Sequence, residues 1–446
     1  MLLIGCAGIT TAYTPTDDIV RTIDKLRSYS ELTSAARDMN IDTYVTNLTT
    51  WQMPHGGWCK AYASKYVNPW DGSAVRSTWT HSGTELGTFD NDATIQELRL
   101  LAERYKQAGD GTLKAKFKES FVNGIGFILT SQYTSGGWPQ VYPERGNYSD
   151  YVTYNDNVMI RVMVFVKDIV DETPPFDTDI ISSDDRMKLS GALDKAMTFT
   201  LNAQIIDNDV PTVWCAQHDP VTFVPRPARS YELESKSGSE SVGIVYFLIN
   251  WPDQSGAVQE AAKSAIAWFK KTRVEDLIFN GRSGEFERQE GASLWYRFYD
   301  LVGDKGFFCD RDGIKTYDIM TVSEERRTDY SWGGDYASDL LSLESEYLDA
   351  LETNIVQPEY SVPFPDSKTF VFRRSGCLEI SVGTGGTYLV TLLHLSGSII
   401  SLRKVASASG HFSLPLPSDQ TAKGVRIIRI ARADGSLVMR QPLVQF

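Results

Sequence analysis

Cysteine is scarce and unpatterned in this chain: Cys6, Cys59, Cys215, Cys309 and Cys377 are the only five in 446 residues. None falls in a Cys-x-x-Cys or cysteine–histidine metal spacing, so a zinc module is excluded. The simplest reading is unpaired core thiols, with a Cys59–Cys215 bridge as the alternative. No run of about 18 or more apolar residues occurs, which leaves no candidate membrane span. Positive charge is in deficit, with 44 Lys and Arg against 57 Asp and Glu and a net charge of −13. That balance argues against nucleic acid, and against any polyanion unless local cations intervene. Residues 1–14 begin Met1-Leu-Leu-Ile-Gly-Cys6, apolar like the tail of an export signal but without a basic start. They read either as the remnant of such a signal or as an ordinary apolar beginning.

What is present is a repeat. Gln52-Met-Pro-His-Gly-Gly-Trp58 returns as Gln132-Tyr-Thr-Ser-Gly-Gly-Trp138, and a degenerate copy runs from Gln204 to Trp214. The tryptophans recur roughly every 80 residues, a period that fits paired helices around a shared core. Each of the first two copies follows an apolar helical stretch and precedes a polar run, Thr88-Phe89-Asp90-Asn91 and Thr153-Tyr154-Asn155-Asp156. The glutamines and tryptophans read mainly as structural, with Trp138 also a candidate floor for a sugar groove.

Residues 15–356 read mainly as helices, with 3.6-residue periodicity in 19–29, 95–105, 117–130, 158–169, 189–203, 242–249, 257–269 and 294–302. Amphipathic helices lead into the glutamines and more apolar ones follow the Asp/Asn runs, so an outer and an inner ring are expected. Three such pairs closing on themselves give an all-α (α/α)3 toroid whose rim loops carry the site. Three prolines in 357–366 mark a linker, and 367–446 changes to short β-branched runs expected to form a small β-sandwich. That segment resembles the C-terminal sorting domains of certain Gram-negative secreted proteins.

Two clusters carry chemistry. Asp90 and Asp156 stand in Asp/Asn runs directly before apolar helices; they either cap those helices or hold a hard cation such as Ca2+. The segment from Val224 to Gly243 places Arg226, Arg229, Tyr231, Glu232, Glu234 and Glu240 in the third repeat's rim loop. Arg229, with Arg297 and Arg311, could bind planar carboxylates that net charge alone would repel, although each taken singly reads first as a structural ion pair.

The phrases Gly-Gly-Trp138-Pro-Gln, Thr153-Tyr-Asn-Asp-Asn157, Pro227-Ala-Arg-Ser-Tyr-Glu-Leu233 and Trp295-Tyr-Arg-Phe-Tyr-Asp-Leu301 are similar, in order, to the polysaccharide lyase family 10 pectate lyases. The resemblance covers roughly residues 40 to 350. It implies a groove for polygalacturonate, Ca2+ bridged by Asp90 and Asp156, and Arg229 as the base that removes the C5 proton. Asn91, Trp138, Tyr231, Arg297 and Arg311 are then expected to contact substrate, and the protein to be a secreted or cell-surface monomer. His55, Cys59 and Asp92 depart from the family's commoner choices.

The underlying chemistry asks for neutralisation of the C6 carboxylate and for a base. Guanidinium stays protonated in ordinary settings, so an alkaline optimum is expected. A toroidal glycoside hydrolase using Asp90 and Glu240, and a non-catalytic pectin-binding protein, are the rival readings. A terpene cyclase is disfavoured by the lack of an Asp-x-Asp-Asp motif.

Overall fold

The computed structural model describes residues 13–27 and 30–354, together with seven strands between 369 and 443. The expected linker at 357–366 and residues 1–12 of the apolar start lie outside the described residues. Two compact units partition the chain, Thr11–Ile355 and a second one that includes Val356–Phe446.

In the first unit three antiparallel helix pairs follow one another. They are α4 (Ile95–Gln107) with α5 (Gly111–Ser131), α6 (Val158–Val170) with α7 (Ser183–Asn202), and α8 (Glu240–Ile249) with α9 (Gly256–Thr272). Before them come α1 (Asp17–Asp24), α2 (Ser30–Ala35) and α3 (Ile41–Thr50). The helices α3, α5, α7 and α9 neighbour one another in sequence as an outer layer, while α4, α6 and α8 form the inner one, with α1 against α8. Composition explains the division. Helix α6 buries Val158, Met159, Ile160, Val162, Met163, Val164, Phe165 and Val166, nearly its whole circumference, whereas α5 buries one face through Phe117, Phe121, Ile125 and Ile128. Each fully buried side chain of this kind contributes roughly 1.5–3 kcal/mol. This is the (α/α)3 toroid expected from the sequence.

The repeated glutamines and tryptophans are its fasteners. Gln52 donates to Gly56 O and to Ser120 O of α5, at 2.8 and 2.9 Å. Gln132 does the same to Gly136 and Ala192 of α7, both at 2.8 Å, and Gln204 to Thr212 and Ala261 of α9, at 2.9 and 3.0 Å. Each glutamine thus ties one outer helix to the next. The indole nitrogens of Trp58, Trp138 and Trp214 donate to Leu48, Ile128 and Thr200, carbonyls near the ends of the preceding outer helices. A fourth tryptophan, Trp295, repeats the bond to Phe269 of α9 at 2.8 Å. The glycines are required by contact: Gly56 and Gly136 have φ of +95° and +108°, and a Cβ there would lie 2.1 and 2.2 Å from the carbonyl oxygens of Asn123 and Lys195.

One helix of the sequence reading is replaced. Within 294–302 the chain is extended up to Tyr299 and then turns: Glu285–Tyr296 pairs antiparallel with Val274–Asn280, and Phe298–Tyr299 with Lys236–Ser237. The run Leu294-Trp-Tyr-Arg-Phe-Tyr299 is short and aromatic, and apolar periodicity over so few residues does not separate helix from strand. The preceding hairpin also hid Trp295 from the repeat pattern. Cys59, Cys215 and Cys309 are free and buried, so the alternative Cys59–Cys215 bridge is not formed.

In the second unit Thr369–Arg374, Cys377–Val382 and His411–Pro415 make a three-stranded antiparallel sheet. A four-stranded sheet has the order Ile399–Ser407, Gly386–His394, Arg426–Arg432, Leu437–Leu443. Ile380, Tyr388 and Val390 are buried. Among the described residues no helix is long and apolar enough to cross a membrane.

Candidate active site

Short antiparallel bridges link each repeat to the next at one rim. Gly87–Thr88 pairs with Val141–Tyr142, Val152–Thr153 with Gln217–His218, and Lys236–Ser237 with Phe298–Tyr299. The backbone that follows each bridge carries the chemistry.

After Thr88 and Thr153 the chain makes matching turns, Asp90–Asp92 and Asn155–Asn157, with left-handed backbone at Asn91 and Asp92 and at Asp156 and Asn157. This register equates Asp90 with Asn155 and Asn91 with Asp156, so the two aspartates singled out in the sequence are offset by one residue. Burial agrees: Asp90 and Asn155 are buried, whereas Asn91 and Asp156 are exposed. Neither aspartate caps its helix, since Thr94 and Asn157 occupy the cap positions of α4 and α6 without a side-chain cap bond. The capping reading is therefore set aside.

Asp90 is ion-paired to Lys60, and Asp92 to Arg161 of α6. Burial raises the Asp92 pKa even against Arg161. Asp156 accepts a hydrogen bond from the Asn155 amide at 2.7 Å. Its backbone N–H donates to Glu240 Oε2 at 3.1 Å, at the start of α8. Glu240 Oε1 in turn accepts from Arg297 Nη2 at 2.6 Å, and the same nitrogen lies 3.3 Å from Asn155 Oδ1. Burial pushes the Glu240 carboxyl up to about 7, against the pull of Arg297. Burial also opposes the charge on Arg297, but Glu240, Tyr330, Tyr336 and Asp156 together outweigh it and hold the guanidinium pKa above its ordinary value.

Two tyrosine rings gather the arginines. Tyr330 has Arg297 at 4.9 Å, Arg326 at 5.3 Å and Arg229 at 5.8 Å from its ring centroid; Tyr231 has Arg326 at 4.4 Å, Arg229 at 4.9 Å and Arg311 at 5.6 Å. Arg229 is bound bidentate by Glu232, which is 5% exposed and also accepts from the Tyr330 hydroxyl. Arg311 pairs with the exposed Glu325. Arg226 pairs with Asp219 rather than with Glu232 or Glu234.

Direct contacts therefore run unbroken from Asp156 through Glu240, Arg297, Tyr330 and Glu232 to Arg229, with Arg311 joined through Tyr231. Asp90 stands apart from that chain on Lys60. Two expected substrate contacts are corrected: Trp138 is 0% exposed and Tyr231 4%. Trp138 packs under the rim, and Tyr231 carries guanidiniums instead of meeting a sugar. Lys60, Asn155, Tyr330 and Arg326 were missed. Asn155 lay in a quoted motif, while Tyr330 and Arg326 come from a distant loop with no repeat to mark it.

Comparison with known proteins accords with this geometry. Residues 52–341 match the family model described as pectic acid lyase. The chain is similar to the family 10 polysaccharide lyase from Cellvibrio cellulosa, with 36% identity, a TM-score of 0.64, and coverage of 76% of this chain and 99% of that one. It is similarly related to a mutant of that lyase in complex with trigalacturonic acid, with 37% identity, a TM-score of 0.62, and coverage of 73% and 98%. Comparison with curated protein sequences gives no match. The chain belongs to the pectic acid lyase family, as a polysaccharide lyase that acts on polygalacturonate.

Proposed function

We propose that this pectate lyase cleaves polygalacturonate by β-elimination, with Arg229 as the base, Arg297 and Arg311 as holders of substrate carboxylates, and Asp90 and Asp156 as ligands of Ca2+. The unbroken run of contacts from Asp156 to Arg229 carries the reading, because it sets a carboxylate for a cation beside guanidiniums for uronate.

The donor set suits a hard cation. Asp90 and Asp156 offer carboxylate oxygens, Asn91 and Asn155 amide oxygens, and Asp156 is exposed. Among the described residues no three His, Cys, Asp or Glu converge on one point, so such a site needs the substrate's own carboxylate to complete it. When bound, Ca2+ would neutralise the C6 carboxylate and stabilise the negative charge that develops as the C5 proton leaves.

Arg229 needs a neutral guanidine. Its partner Glu232 raises its pKa instead of lowering it, so its immediate environment favours the charged form. We propose that a proton passes from Arg229 Nη2 to Glu232 Oε1, leaving neutral guanidine to accept the C5 proton. A C4–C5 double bond then forms as the C4–O bond breaks, and the departing oxygen is protonated by solvent. No water attacks the sugar, which separates this reaction from hydrolysis.

A polymer of this kind is met outside the cell, which supports a secreted or cell-surface protein with the strand unit as a sorting module. The test is the absorbance of unsaturated uronide during incubation with polygalacturonate, with Ca2+ or with chelator, for wild type and Arg229→Ala. A rise needing both Ca2+ and Arg229 is expected; new reducing ends without the chromophore would move the mechanism to hydrolysis.

A further inference from the structure

Beyond Asp90 lies a group that the reaction does not use. Lys60, already paired with Asp90, has its ammonium 5.0 Å from the centroid of the half-buried Trp79 ring. The guanidinium of Arg145, from the second repeat, lies 4.9 Å from the same ring. Arg145 stands on a turn organised by Asp150, whose carboxylate accepts the backbone N–H groups of Arg145, Gly146 and Asn147 at 2.7, 2.6 and 3.1 Å. That carboxylate is thereby committed to the main chain.

Among the described residues no carboxylate pairs with the Arg145 guanidinium, and the Trp79 indole N–H has no partner. Two other arginines set over aromatic rings are neutralised: Arg76, over Trp70, pairs with Glu85, and Arg226, over Tyr151, pairs with Asp219. The position of Arg145 is fixed all the same. Its turn is tied to the first repeat where His81 Nδ1 lies 2.7 Å from Glu144 O, and where Val141–Tyr142 pairs with Gly87–Thr88, two residues before Asp90.

We infer that Arg145 and Trp79, backed by Lys60, form a further subsite of the groove. It takes the carboxylate and ring oxygens of a galacturonate residue beyond those at the point of cleavage. A planar guanidinium binds carboxylate at two points, and an indole N–H supplies a donor for a hydroxyl. The inference rests on the pectate lyase reading and makes chain length a determinant of affinity.

The test is calorimetry of trigalacturonate and hexagalacturonate binding with Ca2+ present, in the full chain carrying Arg229→Ala to stop turnover. To this Arg145→Ala, Arg145→Lys or Trp79→Phe is added. Loss of one charge-assisted contact should weaken hexagalacturonate about tenfold and trigalacturonate less, with Arg145→Lys recovering part of the loss. Retained trigalacturonate binding also shows that the variant is folded. No loss with either oligomer, or the same loss with both, would overturn the subsite. Absence of unsaturated product from wild type would instead remove the lyase reading while leaving this length comparison standing.

Discussion

Arg229 and Glu232 face each other through two hydrogen bonds, Nε to Oε2 at 2.7 Å and Nη2 to Oε1 at 2.5 Å, three residues apart in one loop. Tyr330 donates to the same carboxylate at 2.7 Å. Burial opposes the charge on Glu232, yet these donors keep its pKa below the ordinary carboxylate value.

If Glu232 accepts the proton of Arg229, it belongs to the chemistry as much as the arginine does. Arg229→Ala and Glu232→Gln should each lower kcat by about 100-fold or more while leaving KM within a few-fold. Steady-state kinetics would decide it. A Glu232→Gln variant with undiminished kcat would show that the pair only positions Arg229.

The raised pKa of Arg229 and the lowered pKa of Glu232 bracket the working range. A proton passed from one to the other stays within the pair, so kcat should be nearly independent of pH between them; a climb of about tenfold per pH unit would show that Arg229 loses its proton to solvent instead. A bell-shaped profile centred near neutrality would contradict an arginine base.

Asp156 is exposed and joined to Arg297 through Glu240, so its carboxylate is available to a cation without unfolding the rim. Asp156→Asn should raise the Ca2+ concentration needed for half-maximal activity by about tenfold or more, and chelator should abolish wild-type turnover reversibly. Activity indifferent to both would remove Ca2+ from the mechanism.

Trp138 makes its indole bond to Ile128 at 2.9 Å in a buried site. Trp138→Phe should cost about 1–3 kcal/mol of stability, read by denaturant titration, with KM for polygalacturonate unchanged. A selective rise in KM would return Trp138 to the groove.

Glu97 of inner helix α4 is buried, accepts from the Tyr66 hydroxyl at 3.0 Å, and is pushed up to about 8 by burial. The folded chain holds its proton where the unfolded chain, with the ordinary value of 4.5, has lost it. Stability contributed through this group is thus present at low pH and falls as pH rises toward about 8. Glu97→Gln should raise Tm relative to wild type by about 2 °C near pH 9 and not near pH 4. Parallel melting curves across that range would show that Glu97 does not govern the effect.

The Gln-x-x-x-Gly-Gly-Trp phrase was legible because its two ends are tied by local geometry: a glutamine at a helix end, a glycine pressed on the next helix, and an indole reaching back to the helix just left. The alternation of amphipathic and apolar helices likewise announced outer and inner layers. At 294–302 this reasoning failed, since only pairing with 274–280 made that aromatic run a strand. The arginines at 229, 297 and 311 could be named from their motifs, but which carboxylate each would meet could not.

Sequence alone thus determined the helical toroid, its repeat and the residue types at its rim, because periodicity and helix-end bonding act over a few residues. Tertiary structure decided that Asn91, and not Asp90, matches Asp156. It also buried Tyr231 among guanidiniums, gave Arg229 a carboxylate partner and left Arg145 without one. Those outcomes depend on which loops the closing ring sets side by side. Contacts such as Arg297 with Asn155, or Tyr330 with Glu232, join residues whose separation along the chain leaves no local pattern to read.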